Sequence, residues 1–272
     1  MVTLKKIPIP PGIILYPLST KNMFIKIDNR NVQILIYNQF VNIYDILEMA
    51  SWNLSCSTRE YVEAIVKSLA SKYNNNALEK FTVEFLLNSI IYYNASYDYI
   101  LPAIYYIYTP HDEVVKKFPI KTVNKKMQKL KLTTNWDLAL CFLVNDYLKK
   151  NKNMESCLAS NASIPDDIKH QVKVLKDENK TLRNAFKANQ LKHRAIPSFI
   201  HSDKSNMMGT RNFIDLSQFY NIDGGFRMDI GKQYDNPLNI DKTRDFLIKY
   251  HNTTVDLLDL ILKDILVTDN QR

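Results

Sequence analysis

Glycine, cysteine and long apolar runs are all scarce in this chain of 272 residues, which has five glycines and three cysteines. So few glycines exclude collagen-like chains, glycine-rich repeats and glycine-serine linkers. The cysteines form no Cys-X-X-Cys pair and have no histidine at ligand spacing, so the pattern does not predict a zinc site. The best membrane candidate, 90–108, is interrupted by Asn94, Asp98 and Pro102. We therefore expect no membrane partner, and the amino terminus shows no secretory signal pattern.

The sequence also lacks the common motifs of catalysis. It contains no G-x-S-x-G, no H-E-x-x-H, no P-loop and no dinucleotide-binding fingerprint. The run His111-Asp112-Glu113 places three acid-base groups on adjacent positions, whose side chains diverge in a helix or turn. We therefore predict that the protein is not an enzyme, with no catalytic residue, no cofactor and no metal ligand.

Composition predicts a globular protein with a substantial core, because 46% of the residues are hydrophobic and 24% are charged. Lysine outnumbers arginine 28 to 8, and asparagine and isoleucine are also abundant, a bias typical of an AT-rich genome. The net charge of +8 is uneven, since 1–195 carry 27 basic and 17 acidic residues and 196–272 carry 9 and 11. The basic and acidic segments can attract each other between copies of the chain. Alternatively, the lysines simply form a solvated surface.

The patterns predict a predominantly α-helical fold that begins with an extended arm and a short β-hairpin. Prolines alternate with apolar residues over 1–20, which disfavours helix and indicates an extended apolar arm. Two short apolar runs, 23–27 and 32–37, flank a polar turn and predict the hairpin. The hairpin opens a mainly helical core over 21–165.

Helical spacing is clear in several segments of the core and after it. The sequence predicts helices over 40–50, 58–73 and 136–150, and the apolar face of the second consists of Tyr61, Ala64, Ile65 and Leu69. Residues 77–109 are also expected to be largely helical, with Pro102 kinking the chain or restarting a helix. Glycines and prolines punctuate 195–240, which we interpret as an irregular loop region, and 241–272 form the C-terminal helices.

The sharpest pattern is a basic, coiled-coil-like helix over 166–194. Its seam has the 3, 4, 3, 4 spacing of a heptad repeat and consists of Val172, Leu175, Asn179, Leu182 and Phe186. A row of basic residues borders this seam. The helix either packs on its own domain or docks on a neighbouring subunit, where Asn179 would fix the register. Asn179, Leu182 and Phe186 are therefore candidate assembly contacts.

Tyrosines and cysteines supply further assembly candidates. Seven of the sixteen tyrosines lie within 92–108, either as a buried core or as residues that reach a protein contact. The candidate contacts among them are Tyr97, Tyr99, Tyr105 and Tyr108. Three thiols cannot all pair within one chain, so at least one is free or joined to another chain. The candidates for an intermolecular disulfide are Cys157 first, then Cys56 and Cys141.

In overall character the chain resembles the occlusion-body matrix proteins of insect DNA viruses, among them the nudivirus-type polyhedrins. The resemblance lies in the Asn/Lys/Ile/Tyr bias, the arm at 1–20, the tyrosines of 92–108 and the three cysteines. It implies a self-assembling structural protein whose partners are itself and the virions that it embeds. It also implies an intracellular location, in occlusion bodies in the nucleus of an infected insect cell, and a crystalline matrix that dissolves in an alkaline gut.

A viral nucleic-acid-binding protein is the alternative. The segment 40–47, followed by Trp52 and 57–65, is similar to the viral KilA-N DNA-binding module over about 50 residues. Seven lysines also lie in 116–131 without an intervening acidic residue, a segment that can contact phosphates. A nucleoprotein with a basic cleft is a related interpretation, and nucleic acid would then be a partner.

Overall fold

The computed structural model describes residues 3–8, 30–69, 75–131, 161–186, 199–201, 204–208 and 238–265, together with 139–140, 143–144, 146–147 and residue 158. Seven helices and three short strands have defined bounds within these ranges. The helices are α1 (Arg30–Cys56), α2 (Arg59–Leu69), α3 (Asn75–Tyr108), α4 (His111–Lys117), α5 (Ile120–Lys129), α6 (Asp166–Asn184) and α7 (Ile240–Ile265). The strands are β1 (Phe199–His201), β2 (Lys204–Met208) and β3 (Leu238–Asn239). The prediction of a predominantly α-helical protein is confirmed.

The predicted N-terminal hairpin is wrong in the half that the structure describes. Residues 32–37 belong to α1, whereas 23–27 lie outside the described residues. The buried side chains of α1 recur at intervals of four, three and four residues, the period of a helix, at Ile36, Phe40, Ile43 and Leu47. Burial along this helical face outweighs the strand preference of the valine and isoleucines in 32–37.

Helix α3 matches the prediction that 77–109 are largely helical, but the helix does not restart at Pro102. Pro102 lies inside the helix, where it removes one backbone donor, yet the helix continues to Tyr108. Pro102 and the residues on either side of it are buried. Packing of this apolar stretch therefore compensates for the lost hydrogen bond, and no restart occurs.

The remaining segments show how local chemistry sets the ends of helices. α7 is one continuous helix, although the sequence predicts several helices after residue 240. Asn239 caps it, since the Asn239 Oδ1 accepts a hydrogen bond from the backbone N–H of Lys242 at 2.9 Å. Past the end of α5, Lys131 adopts φ 55°, a left-handed position that glycine usually fills and that this glycine-poor chain gives to lysine.

The segment between α6 and α7, predicted as irregular, contains the three short strands. β1 pairs antiparallel with β2, Phe199 facing Met208, and parallel with β3, Phe199 facing Leu238. β1 is therefore the central strand of a small sheet. Residues 209–237 lie outside the described residues.

The chain divides into two compact units. The first consists of Met1–Leu4, Met49–Asn94 and Lys180–Tyr250. Its core includes Leu54 of α1, Leu86 of α3 and Leu247 of α7, all almost fully buried. Polar groups within it are paired, because the Ser89 hydroxyl donates to the Ala50 carbonyl at 2.9 Å.

The second unit consists of Lys5–Glu48, Ala95–Asn179 and His251–Arg272. Its core includes Ile43 of α1, Ile104 of α3 and Leu257 of α7, each fully buried. Gln171 of α6 donates from Nε2 to the carbonyl of Thr253 on α7 at 3.1 Å. These contacts hold α6 and α7 together within the unit.

The described part of the predicted arm, residues 3–8, has neither helix nor strand and contacts α7 through Lys5; residues 9–20 lie outside the described residues. The Lys5 N–H donates to the Asn252 Oδ1 at 2.8 Å, and the Lys5 Nζ pairs with the carboxylate of Asp256. The buried His251 Nε2 lies 2.8 Å from the Lys5 carbonyl. Because a carbonyl only accepts hydrogen bonds, this nitrogen carries the proton.

The burial of His251 predicts a loss of stability in mild acid. Desolvation lowers the pKa of His251 from its usual value of 6.5, against the opposing effect of the hydrogen bond to Lys5. Below about pH 6.5 the unfolded chain binds a proton that the folded chain does not, so the free energy of unfolding falls as pH falls. In His251→Gln, which keeps a donor, we expect a flatter dependence in urea unfolding between about pH 5 and 7. A slope equal to that of the parent would contradict this assignment.

Candidate functional site

The predicted assembly tyrosines lie mainly inside the protein. Tyr97, Tyr105 and Tyr108 are buried, with 4%, 8% and 8% of their surface exposed, and Tyr99 is half-buried. A neighbouring copy cannot reach the three buried rings in this conformation. Their placement matches the other interpretation of the tyrosines in 92–108, a buried aromatic core.

Tyr108 is the best-defined of these buried phenols. Its hydroxyl donates to the Asp264 Oδ2 at 2.9 Å, and its carbonyl accepts from the Asn161 Nδ2 at 3.0 Å. Burial first, and then the hydrogen bond and the negative charges of Asp264 and Asp167, raise the pKa of Tyr108 far above its usual value. The same residue thus ties α7 and the turn before α6 to the end of α3.

The seam of α6 is also buried within the chain. Asn179, Leu182 and Phe186 have 2%, 0% and 8% of their surface exposed. Phe186 packs on Phe246 of α7 with ring centroids 4.9 Å apart. Arg183 donates from Nε to the Asn94 Oδ1 at 2.8 Å. The seam packs on the chain's own fold, which is the first of the two readings of the heptad pattern, and not on an open face.

Of the three candidate cysteines, Cys56 is the one that lies within the described residues. Cys56 is a free thiol with 2% of its surface exposed, and burial raises its pKa, which a hydrogen bond with Tyr61 partly opposes. Both features disfavour thiolate formation and contact with another chain, so Cys56 is a poor candidate for the predicted disulfide. Cys141 and Cys157 lie outside the described residues.

An exposed aromatic cluster lies where α1, α2 and α3 meet in the first unit. We call Met49, Trp52, Tyr61 and Phe85 the aromatic surface. Trp52 is 53% exposed, Met49 43% and Tyr61 41%. The half-buried Phe85 ring meets Trp52 and Tyr61 edge to face, at centroid distances of 6.3 and 6.1 Å. Trp52 and Tyr61 therefore stand in solvent on a common aromatic base, and Met49 lies about one helical turn before Trp52 on α1.

The aromatic surface was not predicted, because the sequence suggests the wrong face for α2. Tyr61 and Ala64, expected in the core, are exposed, and Val62 and Val66 are buried instead. Val62 and Val66 are spaced i, i+4, and this spacing is the sequence signal that identifies the buried face of α2. In the sequence, Trp52 contributes only to the resemblance to a DNA-binding module.

Exposed carboxylates lie on α2 and α3, the helices that carry Tyr61 and Phe85. They are Glu60 on α2 and Glu84 on α3. A further carboxylate of α2, Glu63, pairs with Arg59 at 2.7 Å and with Lys67 at 3.8 Å. The two basic side chains of α2 thus share one acid.

A basic surface of different character covers α5 in the second unit. Lys121, Lys125 and Lys129 repeat every four residues along one exposed face, and we call these three residues the lysine surface. Ile120 and Leu130, at the ends of the helix, are 65% and 37% exposed, but the helical period places them on the side of Val123. This side is anchored, since Val123 is fully buried.

Aromatic and ionic contacts fix the basic helices in place. Tyr105 and Tyr147 both contact Phe118, which lies between α4 and α5, at centroid distances of 6.5 and 6.0 Å. The Lys117 Nζ lies 3.5 Å from the centre of the Tyr147 ring, and the Lys126 Nζ lies 2.7 Å from the Asp146 Oδ2. Two of the seven lysines of 116–131 are therefore engaged within the chain.

No group of three or more His, Cys, Asp or Glu side chains in the described part of the chain is arranged to hold a metal ion. A cavity of about 330 Å³ in the second unit has an apolar floor that includes Ile104, Leu158 and Ile164. His170 at its edge has Lys169 and Lys173 beside it and no carboxylate among the lining residues. None of the described helices is long and apolar enough to cross a bilayer.

The buried Tyr108 predicts that the fold weakens in alkali. Above about pH 10 the unfolded chain releases a phenol proton that the folded chain retains, so the free energy of unfolding falls as pH rises. In Tyr108→Phe we expect a loss of about 1–2 kcal/mol at neutral pH, because Asp264 loses a donor, and a shallower decline above about pH 10. Urea unfolding from pH 8 to 11 measures both, with Tyr99→Phe as the half-buried control. A decline as steep as that of the parent would exclude Tyr108 as an alkaline switch.

Comparison of the chain with protein-family models, with curated proteins and with solved structures finds no match.

Proposed function

We propose that this protein is a self-assembling structural protein, and that its assembly is the crystalline matrix of a viral occlusion body. The observation that carries the proposal is the aromatic surface, where Trp52 is 53% exposed beside Met49 and Tyr61. Exposed contiguous apolar groups of this kind mark protein contacts, and tryptophan, tyrosine and methionine are enriched there. A chain that presents them is suited to packing against protein.

The buried tyrosines support the alkaline release that such a matrix requires. Burial raises the pKa of both Tyr93 and Tyr108 far above the usual value. Their deprotonation in strong alkali favours the unfolded chain, so the fold itself responds to high pH. In this proposal, the trigger lies within each copy, and the tyrosines need not lie at the contacts between copies.

The remaining parts of the proposal follow from the resemblance described above. The embedded virions are the second partner, and the assembly forms inside the nucleus of an infected insect cell. The arm over 1–20 connects copies by exchanging its contact on α7, which in one chain is made by Lys5 with Asn252 and Asp256.

Truncation of Trp52 tests whether the aromatic surface drives assembly. In Trp52→Ala we expect the concentration for half-maximal assembly to rise at least about tenfold, because a central tryptophan often contributes most to an interface. Sedimentation velocity across a concentration series measures this, with circular dichroism to confirm that helix content is unchanged. The control is His170→Ala, an exposed position on α6. A parent chain that stays monomeric throughout would contradict the proposal.

A nucleic-acid-binding protein is the second candidate function, and the lysine surface favours it. Lys121, Lys125 and Lys129 form a row about 12 Å long along α5, at 1.5 Å per residue. A row of cations at one-turn spacing can follow a phosphate backbone.

Salt dependence distinguishes this second function from a solvated surface. If α5 binds DNA, affinity for a random duplex should fall steeply with salt, and Lys121→Gln/Lys125→Gln/Lys129→Gln should reduce the slope of log affinity against log salt by about three. Fluorescence anisotropy provides the measurement. Lys173→Gln/Lys180→Gln on α6 removes exposed lysines elsewhere and is the control. If the parent and the triple variant show the same weak binding, the second function is excluded.

A further inference from the structure

The cavity in the second unit is larger than ordinary packing leaves inside a protein. It has a volume of about 330 Å³ and lies between α3, α6 and Leu158. Its walls outside α6 are the buried apolar side chains of Ile104, Leu158 and Ile164. Protein interiors are close-packed, and voids larger than a water molecule are few. This volume reaches the lower end of the range of small-molecule sites, roughly 300–1,000 Å³.

The wall that α6 contributes to the cavity is centred on two lysines. The lining residues of this helix are Lys169, His170, Val172 and Lys173. At about 100° per residue, Lys169 and Lys173 lie one turn apart in the middle of the lining face. Val172 and His170 lie on its two edges. The residues that line the cavity thus combine two cations with apolar walls and include no carboxylate.

Both lysines can pair with a bound anion. Lys173 is exposed, as is its neighbour His170, so the cavity opens to solvent on this side. The Lys169 Nζ lies 3.4 Å from the Asp166 Oδ1, but the Asp166 side chain is 99% exposed. An ion pair so open to water contributes little, so an anion held in the cavity can replace Asp166.

The chemistry of the walls selects a ligand with two unlike ends. An apolar cavity offers water few hydrogen-bond partners and accommodates an apolar group instead. The lysines favour an anion, and a carboxylate accepts strong hydrogen bonds from an ammonium group. A small inorganic anion would leave the apolar walls without a contact, and an uncharged hydrocarbon would leave the lysines without one.

We propose that this cavity binds a single-chain aliphatic carboxylate, a fatty acid of medium chain length. The chain lies against Ile104, Leu158 and Ile164, and the carboxylate pairs with Lys169 and Lys173 at the opening. The inference goes beyond self-assembly and nucleic-acid binding and does not depend on either, because the cavity shares no residue with the aromatic surface or the lysine surface.

Isothermal titration calorimetry of the full-length chain with sodium decanoate, kept below the concentration at which it forms micelles, tests this proposal. We expect saturable binding of one decanoate per chain. Decyltrimethylammonium has a chain of the same length and the opposite charge, and it should bind at least about tenfold more weakly, because the lysines repel it. Acetate has the carboxylate without the chain and should show no measurable binding, because it buries almost no apolar surface.

Two charge reversals on α6 locate the bound anion. In Lys173→Glu we expect the affinity for decanoate to fall at least about tenfold, because a carboxylate then faces that of the ligand. Lys180→Glu reverses an exposed charge about 10 Å further along the helix, outside the cavity, and should bind as the parent does. Circular dichroism confirms that helix content is unchanged in both variants.

Three results would overturn the proposal. The first is a parent chain that shows no saturable binding of decanoate. The second is equal binding of decanoate and decyltrimethylammonium, which would make the cavity a void that takes any aliphatic chain. The third is a loss of binding in Lys121→Glu/Lys125→Glu but not in Lys173→Glu, because the carboxylate would then lie on the lysine surface.

Discussion

Burial of the tyrosines along α3 is the constraint on which the rest of the structure depends. A phenol buries a large apolar ring, but its hydroxyl must find a hydrogen-bond partner once it leaves water. For Tyr108 that partner is Asp264 at 2.9 Å, 156 residues away in sequence. In the first unit, Tyr93 packs on Tyr250, with ring centroids 5.5 Å apart. Tyr93 and Tyr108 of α3 thus each contact a residue of α7 that is far away in sequence.

Because these tyrosines are buried within the chain, other side chains form its exposed apolar surface. The predicted assembly tyrosines Tyr97, Tyr105 and Tyr108 are buried, and so is the seam of α6. The exposed apolar groups come instead from α1, α2 and α5, where Trp52, Tyr61 and Ile120 are 53%, 41% and 65% exposed. A core of buried phenols and a separate exposed apolar surface are compatible in one chain, because different side chains form them.

A helix is predicted correctly from the sequence where its residue pattern fits a helix and no other secondary structure. The heptad spacing and the paired aspartates after Pro165 predict α6, which begins at Asp166. The pattern fails where two periods fit the same residues, as in 32–37, whose alternation suggests a strand although Ile36 begins the buried face of α1. It also fails at Pro102, because the cost of a proline in a helix is local and the packing that offsets it comes from distant segments.

The candidate site was harder to predict than the fold. Periodicity shows that a helix has an apolar face, but whether that face is covered depends on which segments pack there. Tyr61 and Leu182 therefore look alike in sequence, although Tyr61 is 41% exposed and Leu182 fully buried. The sequence shows that 116–131 form a basic segment, whereas the exposure of Lys121, Lys125 and Lys129 as one row depends on the burial of Val123 on the opposite face of α5.

Electron microscopy of the purified full-length chain tests the central claim, self-assembly into an ordered matrix, most directly. At neutral pH and increasing concentration, the account predicts particles with periodic order. These particles should disperse when the same sample is brought above about pH 10, because the unfolded chain then releases phenol protons that the folded chain retains. Discrete single particles at every concentration would contradict it. Filaments that form only when nucleic acid is added would contradict it as well and favour the second candidate function.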